Sequence, residues 1–133
     1  MATKYVIDTH ALVWFLAGSS RLGLNAKSVL QDPNSELILP ATALSEACWI
    51  AERGRVGLTV TAILTALDAD SRIVVSPLDR AVIERSNGLT AIGEMHDRQI
   101  VATALLLQEQ GEVVALLTRD ANITSSGSVP NVW

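Results

Sequence analysis

The sequence predicts a single α/β domain whose mainly parallel sheet is covered by helices on both faces. Short apolar runs alternate with stretches of helical periodicity along the 133 residues, an order that is typical of parallel sheets. Hydrophobic residues make up 49% of the chain and aromatic residues only 4%, which indicates the aliphatic core of an α/β protein. No linker, repeat or shift in composition divides the sequence, so we expect one domain at 1–133.

The first half of the chain predicts two strands and four helices. The first strand is a short apolar run, and the first helical pattern stops at Gly18. Thr42 and Thr59 are predicted N-caps of later helices, and Gly54 is a predicted helix stop. In order, the elements are a strand at 4–8, helices at 9–18 and 25–31, a strand at 36–39, a helix at 42–53 and a helix after Thr59 with an apolar face at Val60, Ile63, Leu64 and Leu67.

The second half predicts three strands and two helices. Asp97 opens the longest predicted helix, which runs to Gly111. In order, the elements are a strand at 72–75, a helix at 79–86, a loop at 89–94, the helix at 97–111, a strand at 113–117, a polar loop at 124–128 and a strand at 129–133. Strands that alternate in this way with helices are joined by crossovers and run parallel.

The single cysteine excludes an internal disulfide and any site built from several cysteines. On its predicted helix, Cys48 shares a face with Leu44 and Ala51, so we expect it to be a small core residue.

The net charge of −4 and the pI near 5.0 disfavour a protein that binds nucleic acid by charge alone. They do not disfavour a nuclease whose acidic residues hold divalent cations. No apolar stretch approaches the roughly 18 residues of a membrane span, and no signal-peptide core precedes the first strand. We therefore expect a cytoplasmic protein.

Four acidic residues stand where apolar segments end or are interrupted. Asp8 and Asp120 follow predicted strands, Asp97 opens a helix, and Glu46 lies within an apolar helix. Since ligands of parallel α/β sheets bind outside the carboxyl ends of the strands, we expect these side chains to meet there. A carboxylate cluster in apolar surroundings suits a hard divalent cation, which indicates metal-dependent chemistry on a phosphate.

Glu46 is the most informative of the four acids. Its helix is apolar nearly all round, so an unpaired carboxylate within it needs a partner. Arg53 or a metal ion would serve. Taken one at a time, the acids also have ordinary interpretations, because an aspartate after a strand is often a turn former or a helix cap.

Other polar residues flank the acids. His10 and His96 could lie near the same site or at the surface. Arg98 and Arg119 each adjoin one of the aspartates, where they would either be solvated charges or contact a phosphate.

The segment from Tyr5 to Trp14, YVIDTHALVW, resembles the opening of PIN-domain ribonucleases, in particular the VapC-type toxins of bacterial toxin-antitoxin pairs. Four further segments match in order: Ser45-Glu46, Asp97 to Ala104 (DRQIVATA), Leu117 to Ile123 (LTRDANI) and the closing Val132-Trp133. The resemblance therefore covers the chain from end to end.

The resemblance implies a three-layer α/β/α sandwich and a metal-dependent endoribonuclease. The family's four acidic positions fall on Asp8, Glu46, Asp97 and Asp120. Thr9 and Thr118 match hydroxyl positions that support them, whereas Glu94 is an extra acid without an assigned role. One or two Mg²⁺ or Mn²⁺ ions would be the cofactor.

The resemblance also implies partners. These are an RNA substrate, a small VapB-like antitoxin that blocks the acidic site, and a second copy of the chain in a homodimer. Contact with DNA would run through the antitoxin. The consecutive Trp14 and Phe15, together with Trp49, leave apolar surface that suits an interface.

Two other classes of α/β protein place acids at strand ends and are disfavoured by the residues. A receiver domain needs a second acid beside Asp8 and a lysine late in the chain, but Thr9 follows Asp8 and no lysine occurs after Lys27. A haloacid-dehalogenase-like phosphatase needs an aspartate where this chain has His10. A catalytically silent PIN-fold module that binds RNA or protein stays open.

Overall fold

The computed structural model describes residues 2–133, and in that part of the chain five parallel strands form one sheet that seven helices accompany. The strands are β1 (Lys4–Ile7), β2 (Glu36–Pro40), β3 (Ile73–Ser76), β4 (Val114–Leu117) and β5 (Asn131–Val132). The helices are α1 (Thr9–Ala17), α2 (Leu24–Gln31), α3 (Ala41–Glu52), α4 (Val60–Ala69), α5 (Arg80–Asn87), α6 (Met95–Glu109) and α7 (Ala121–Thr124). The predicted α/β sandwich is confirmed.

The strand order β3-β2-β1-β4-β5 puts β1 at the centre of the sheet. Val6 pairs with Ile38 of β2 on one side and with Leu116 of β4 on the other. Residues of both orientations along β1 and β4 are buried, as expected for parallel strands that are covered on two faces. All five strands therefore point the same way, and the carboxyl end of β1 opens at the middle of one edge.

The turn from β1 into α1 is closed by side-chain and backbone caps. Asp8 is the N-cap, and its carboxylate accepts a hydrogen bond from the Thr9 amide at 2.6 Å. Gly18 ends the helix with φ of 65°, a left-handed conformation that glycine adopts without steric cost. The predicted start and end of this helix are confirmed.

Two predicted helix starts are wrong. α3 begins at Ala41 after Pro40, so Thr42 is not its N-cap; the Thr42 hydroxyl is buried and donates to the Gln99 side chain. α6 begins at Met95 with Glu94 as the N-cap, which places Asp97 inside the first turn. Glu94 caps α6 with its side chain, whereas α3 follows Pro40 without a side-chain cap; periodicity alone fixes a helix start only to within a residue or two.

Two predicted core positions are also less buried than expected. Leu64 of α4 is 44% exposed, although Ile63 beside it is fully buried. Cys48 is partly exposed instead of lying in the core. The last strand is shorter than predicted, at Asn131–Val132. No helix within residues 2–133 has the length and apolar character that a bilayer crossing needs.

Gly23 makes a close contact that a larger residue would disturb. A Cβ added there would lie 2.5 Å from the backbone carbonyl carbon and the ring of Trp133. We expect Gly23→Ala to lower the free energy of unfolding by about 1–3 kcal/mol, measured by urea denaturation. Gly57→Ala is the control, because nothing lies within 4 Å of that position. Equal stability of the two variants would contradict the contact.

Candidate functional site

Asp8 lies at the carboxyl end of the central strand and is only 7% exposed. Its second carboxylate oxygen accepts a hydrogen bond from the Thr118 hydroxyl at 2.6 Å, across from the end of β4. Burial raises the pKa of Asp8, and the hydrogen bonds from Thr118 and the Thr9 amide counter part of that rise. The chain thus holds a desolvated carboxylate in a fixed orientation at this edge.

Glu46 projects from α3 toward the same edge. Its Oε1 accepts a hydrogen bond from the Thr9 hydroxyl at 2.9 Å, and its Oε2 lies 3.7 Å from Nδ1 of His96. Partial burial raises the pKa of Glu46. Of the two partners that the sequence offered for Glu46, Arg53 or a metal ion, Arg53 does not serve, because its guanidinium lies over the Trp49 ring.

Asp97 has a strongly raised pKa as well. Desolvation raises the pKa of Asp97 to about 7, and the negative charges of Asp120, Asp8, Glu94 and Glu46, in that order, add to the rise. Carboxylates that repel one another in this way share one electrostatic environment. The four acids that the sequence singles out therefore lie around a common edge of the sheet, with Glu94 beside them.

Asp120 and Glu94 also have local structural tasks. The Asp120 carboxylate accepts from the Asn122 amide at 2.9 Å and caps α7. Glu94 caps α6 by accepting from the Asp97 amide at 2.9 Å, and its other oxygen lies 2.8 Å from the His96 ring. The predicted capping role of an aspartate after a strand is thus realised at Asp120, where it coexists with a place in the acidic group.

Two cavities flank the carboxylates. The first has a volume of about 300 Å³; it is lined by Asp8, His10, Trp14, Arg119, Asp120, Ala121 and Trp133. The second has a volume of about 570 Å³; it is lined by His10, Ser45, Glu46, Trp49, Ile50, Arg55 and His96. His10 lines both cavities and is itself exposed. It therefore lies both near the acids and at the surface, the two places that the sequence left open.

The two arginines that flank aspartates in the sequence lie in different places. The Arg119 guanidinium is 4.7 Å from the centroid of the Trp14 ring and lines the first cavity. The Arg98 Nε donates to the Ile92 carbonyl at 2.5 Å, and this arginine lines neither of the two cavities. Only Arg119 is brought to the acidic edge.

Three side chains that the sequence motifs did not assign to the site complete these cavities: Trp133, Trp49 and Arg55. Trp133 reaches Trp14 from the last strand, with ring centroids 5.8 Å apart. Trp49 and Arg55 enter the second cavity from the end of α3. Trp49 follows Glu46 by three residues, a spacing that puts both on one helix face. This spacing could have placed Trp49 beside the acids from the sequence alone.

The donor chemistry of this edge suits Mg²⁺ or Mn²⁺, since it consists of carboxylate and hydroxyl oxygens. Within residues 2–133, no three acidic, histidine or cysteine side chains are positioned closely enough to hold an ion by themselves. Magnesium keeps several waters and is often held by one or two carboxylates, so the residues fit an ion with a largely aqueous shell.

The fold is thus a small α/β domain with an acidic site at the carboxyl edge of its parallel sheet. A buried aspartate directly follows the central strand, and the other acids lie around it. The family model of the PIN domain matches residues 5–125. The chain belongs to the PIN domain family, as the sequence motifs predict.

Solved structures show the same fold. The chain is similar to VapC20 of Mycobacterium tuberculosis, a Sarcin-Ricin loop cleaving toxin, at 17% identity over 92% of this chain and 95% of that one, with a TM-score of 0.67. It is similar to VapBC2 of Rickettsia felis bound to a DNA fragment from their promoter, at 14% identity over 98% of both chains and a TM-score of 0.67. VapBC-1 of nontypeable Haemophilus influenzae matches at 18% identity over 98% and 97%, with a TM-score of 0.65. A search of curated proteins found no significant match.

Proposed function

We propose that the chain is a metal-dependent endoribonuclease and the toxin of a toxin-antitoxin pair. The observation that carries the proposal is the gathering of acids at the carboxyl edge of the sheet, where Asp8 is buried and hydrogen-bonded to Thr118 and Glu46 is hydrogen-bonded to Thr9. Such a cluster costs stability unless something neutralises it, and divalent cations are the groups that do so. Membership of the PIN domain family and the fold shared with VapC20 support the same activity.

In this proposal Asp8 and Asp97 ligate the cation directly, and Glu46 and Asp120 complete the shell through water. When bound, one or two Mg²⁺ or Mn²⁺ ions would polarise the scissile phosphate and lower the pKa of an attacking water. Asp8 suits the central place because it directly follows β1, the middle strand of the sheet. Its carboxylate keeps free lone pairs beyond the two hydrogen bonds that it accepts.

The remaining polar residues orient the acids and the substrate. Thr118 and Thr9 donate to Asp8 and Glu46, which holds each carboxylate in one rotamer. Arg119 is exposed at the mouth of the first cavity, where it can contact a phosphate of the RNA.

Cleavage of end-labelled total RNA by the purified chain tests the proposed activity. We expect discrete cuts with manganese and none with EDTA. Cuts that persist in EDTA would contradict metal dependence. A folded chain that binds the ion and RNA but leaves every RNA intact would replace the nuclease with a catalytically silent binding module.

We further propose that the chain pairs with a VapB-like antitoxin and forms a homodimer. Structural neighbours include the VapBC and FitAB assemblies, one of them bound to promoter DNA. Large apolar side chains such as Trp49, Val74 and Met95 are exposed on the isolated chain, which suits interfaces. Sedimentation equilibrium of the purified chain tests the dimer, and a monomer at micromolar concentration would contradict it.

Removing the Thr118 hydroxyl should weaken the proposed ion site without unfolding the chain. Thr118→Val keeps the shape of the side chain but leaves the Asp8 carboxylate without its 2.6 Å donor. Loss of such a supporting hydrogen bond costs roughly 10- to 100-fold in metal affinity. We expect a fall of that size for manganese in isothermal titration calorimetry. Thr61→Val, at an exposed position of α4, is the control, and equal affinities of the two variants would contradict the role of Thr118.

A further inference from the structure

The larger of the two cavities extends from Glu46 away from the other three acids of the proposed ion site. It lies between α1, α3 and α6, beside the Glu46 carboxylate. Along α3, Ser45, Glu46, Trp49 and Ile50 follow helical spacing on one face and form its wall. Its volume of about 570 Å³ falls within the range of small-molecule sites.

Trp49 dominates the apolar part of this wall. Its side chain is 47% exposed, and the core is filled from the other face of α3 by Ala43, Ala47 and Ala51. Packing of the isolated domain therefore does not explain a tryptophan at this position. An exposed aromatic ring one helical turn from an acidic edge is a platform on which a planar ligand can stack.

Two arginines lie close to this ring although the chain as a whole is acidic. The Arg53 guanidinium lies 3.4 Å from the Trp49 ring centroid, and that of Arg55 lies 5.4 Å away. Both arginines are exposed. A ligand that combines a flat aromatic group with negative charge complements such a surface, and a nucleotide has both.

We propose that this cavity binds an unpaired nucleobase of the RNA substrate next to the cleaved phosphate. The base stacks against Trp49 and Ile50, its polar edge faces Ser45 and His96, and Arg55 contacts the adjoining phosphate. The proposal rests on the proposed ribonuclease function. It assigns the substrate to unpaired RNA, because a base within an A-form helix is not free to enter a pocket.

Binding measured without cleavage tests the pocket. Fluorescence anisotropy in EDTA would use labelled single-stranded hexamers of adenylate, cytidylate and uridylate, and an RNA duplex for comparison. We expect the native chain to prefer the single strands. Trp49→Ala should weaken that binding roughly ten-fold, whereas Trp49→Phe should restore most of it because the ring is kept. Leu64→Ala removes an exposed apolar side chain from α4 and is the control.

The outcomes separate the pocket from the nuclease. Native-like hexamer binding by Trp49→Ala, or no hexamer binding by the native chain, would overturn the pocket. Trp49-dependent binding by a chain that never cuts RNA would support the pocket and contradict the nuclease. Metal-dependent cuts at the same sites and rates in Trp49→Ala would support the nuclease and make this surface a protein-docking face instead.

Discussion

The Asp8→Asn variant is expected to lose about three orders of magnitude in the rate of RNA cleavage. Asn keeps the size of the side chain but removes the charge that would hold the cation, and a bound ion supplies several kcal/mol of transition-state stabilisation. The measurement is the initial rate of metal-dependent cleavage of a mapped RNA site under saturating manganese.

Asp68→Asn is the matched control for this variant. It makes the same substitution at an exposed position of α4, so it changes net charge equally. The far-ultraviolet circular dichroism of both variants should equal that of the native chain. An Asp8→Asn variant that is folded and cuts at the native rate would remove Asp8 from the proposed site.

The Asp97→Asn variant is expected to be more stable than the native chain above neutral pH when no metal is bound. The pKa of Asp97 in the folded chain is about 7 against an ordinary value of 3.8. The folded state therefore binds this proton more tightly than the unfolded state. Its stabilising effect is complete below pH 4 and is lost as the pH rises to about 7. At pH 8 the native chain carries the full cost of the charge.

The size of this effect is limited by solvent and by helix α6. Asp97 is partly exposed, so screening reduces the cost well below the value for a buried charge. A carboxylate in the first turn of a helix also gains about 0.3–1 kcal/mol from the helix dipole, which the variant forfeits. We expect a net increase in Tm of about 3–8 °C at pH 8 that shrinks toward pH 5.

Manganese should reverse the order of the two chains. Binding to the folded state alone adds about 2.7 kcal/mol when the free ion exceeds Kd one hundred-fold, and Asp97→Asn should not receive this gain. Thermal unfolding of both chains at pH 5 and pH 8, with manganese and with EDTA, measures both effects. If the difference in Tm between the native chain and Asp97→Asn in EDTA is the same at pH 5 and pH 8, the raised pKa of Asp97 is contradicted.

Sequence patterns predicted that the four acids lie near one another, because each acid has a local signature. Asp8 interrupts an apolar run, and a residue at that place must follow the strand that the run forms. Glu46 stands out because a carboxylate within a helix that is apolar nearly all round needs a partner. The helix starts at Thr42 and Asp97 were predicted wrongly, because several adjacent residues can begin a helix and tertiary contacts select among them. The hydrogen bond from Thr42 to Gln99 is such a contact.

The cavities beside the acids depend on distances that no local pattern contains. Trp133 meets Trp14 only after the last strand joins β4. Arg53 contacts the Trp49 ring and not Glu46, and this choice likewise depends on the directions of the side chains at the end of α3. The positions of the acids along the chain can be read from the sequence, but which aromatic side chains lie next to them depends on the fold.

A manganese-soaked crystal of the chain, with anomalous scattering recorded at the manganese edge, tests the four-carboxylate site most directly. We expect a peak at the carboxyl end of β1, at a coordination distance of about 2.1 Å from oxygens of Asp8 and Asp97. Glu46 and Asp120 would contact it directly or through water. A manganese peak elsewhere, or none at concentrations that saturate a functional site, would contradict the account.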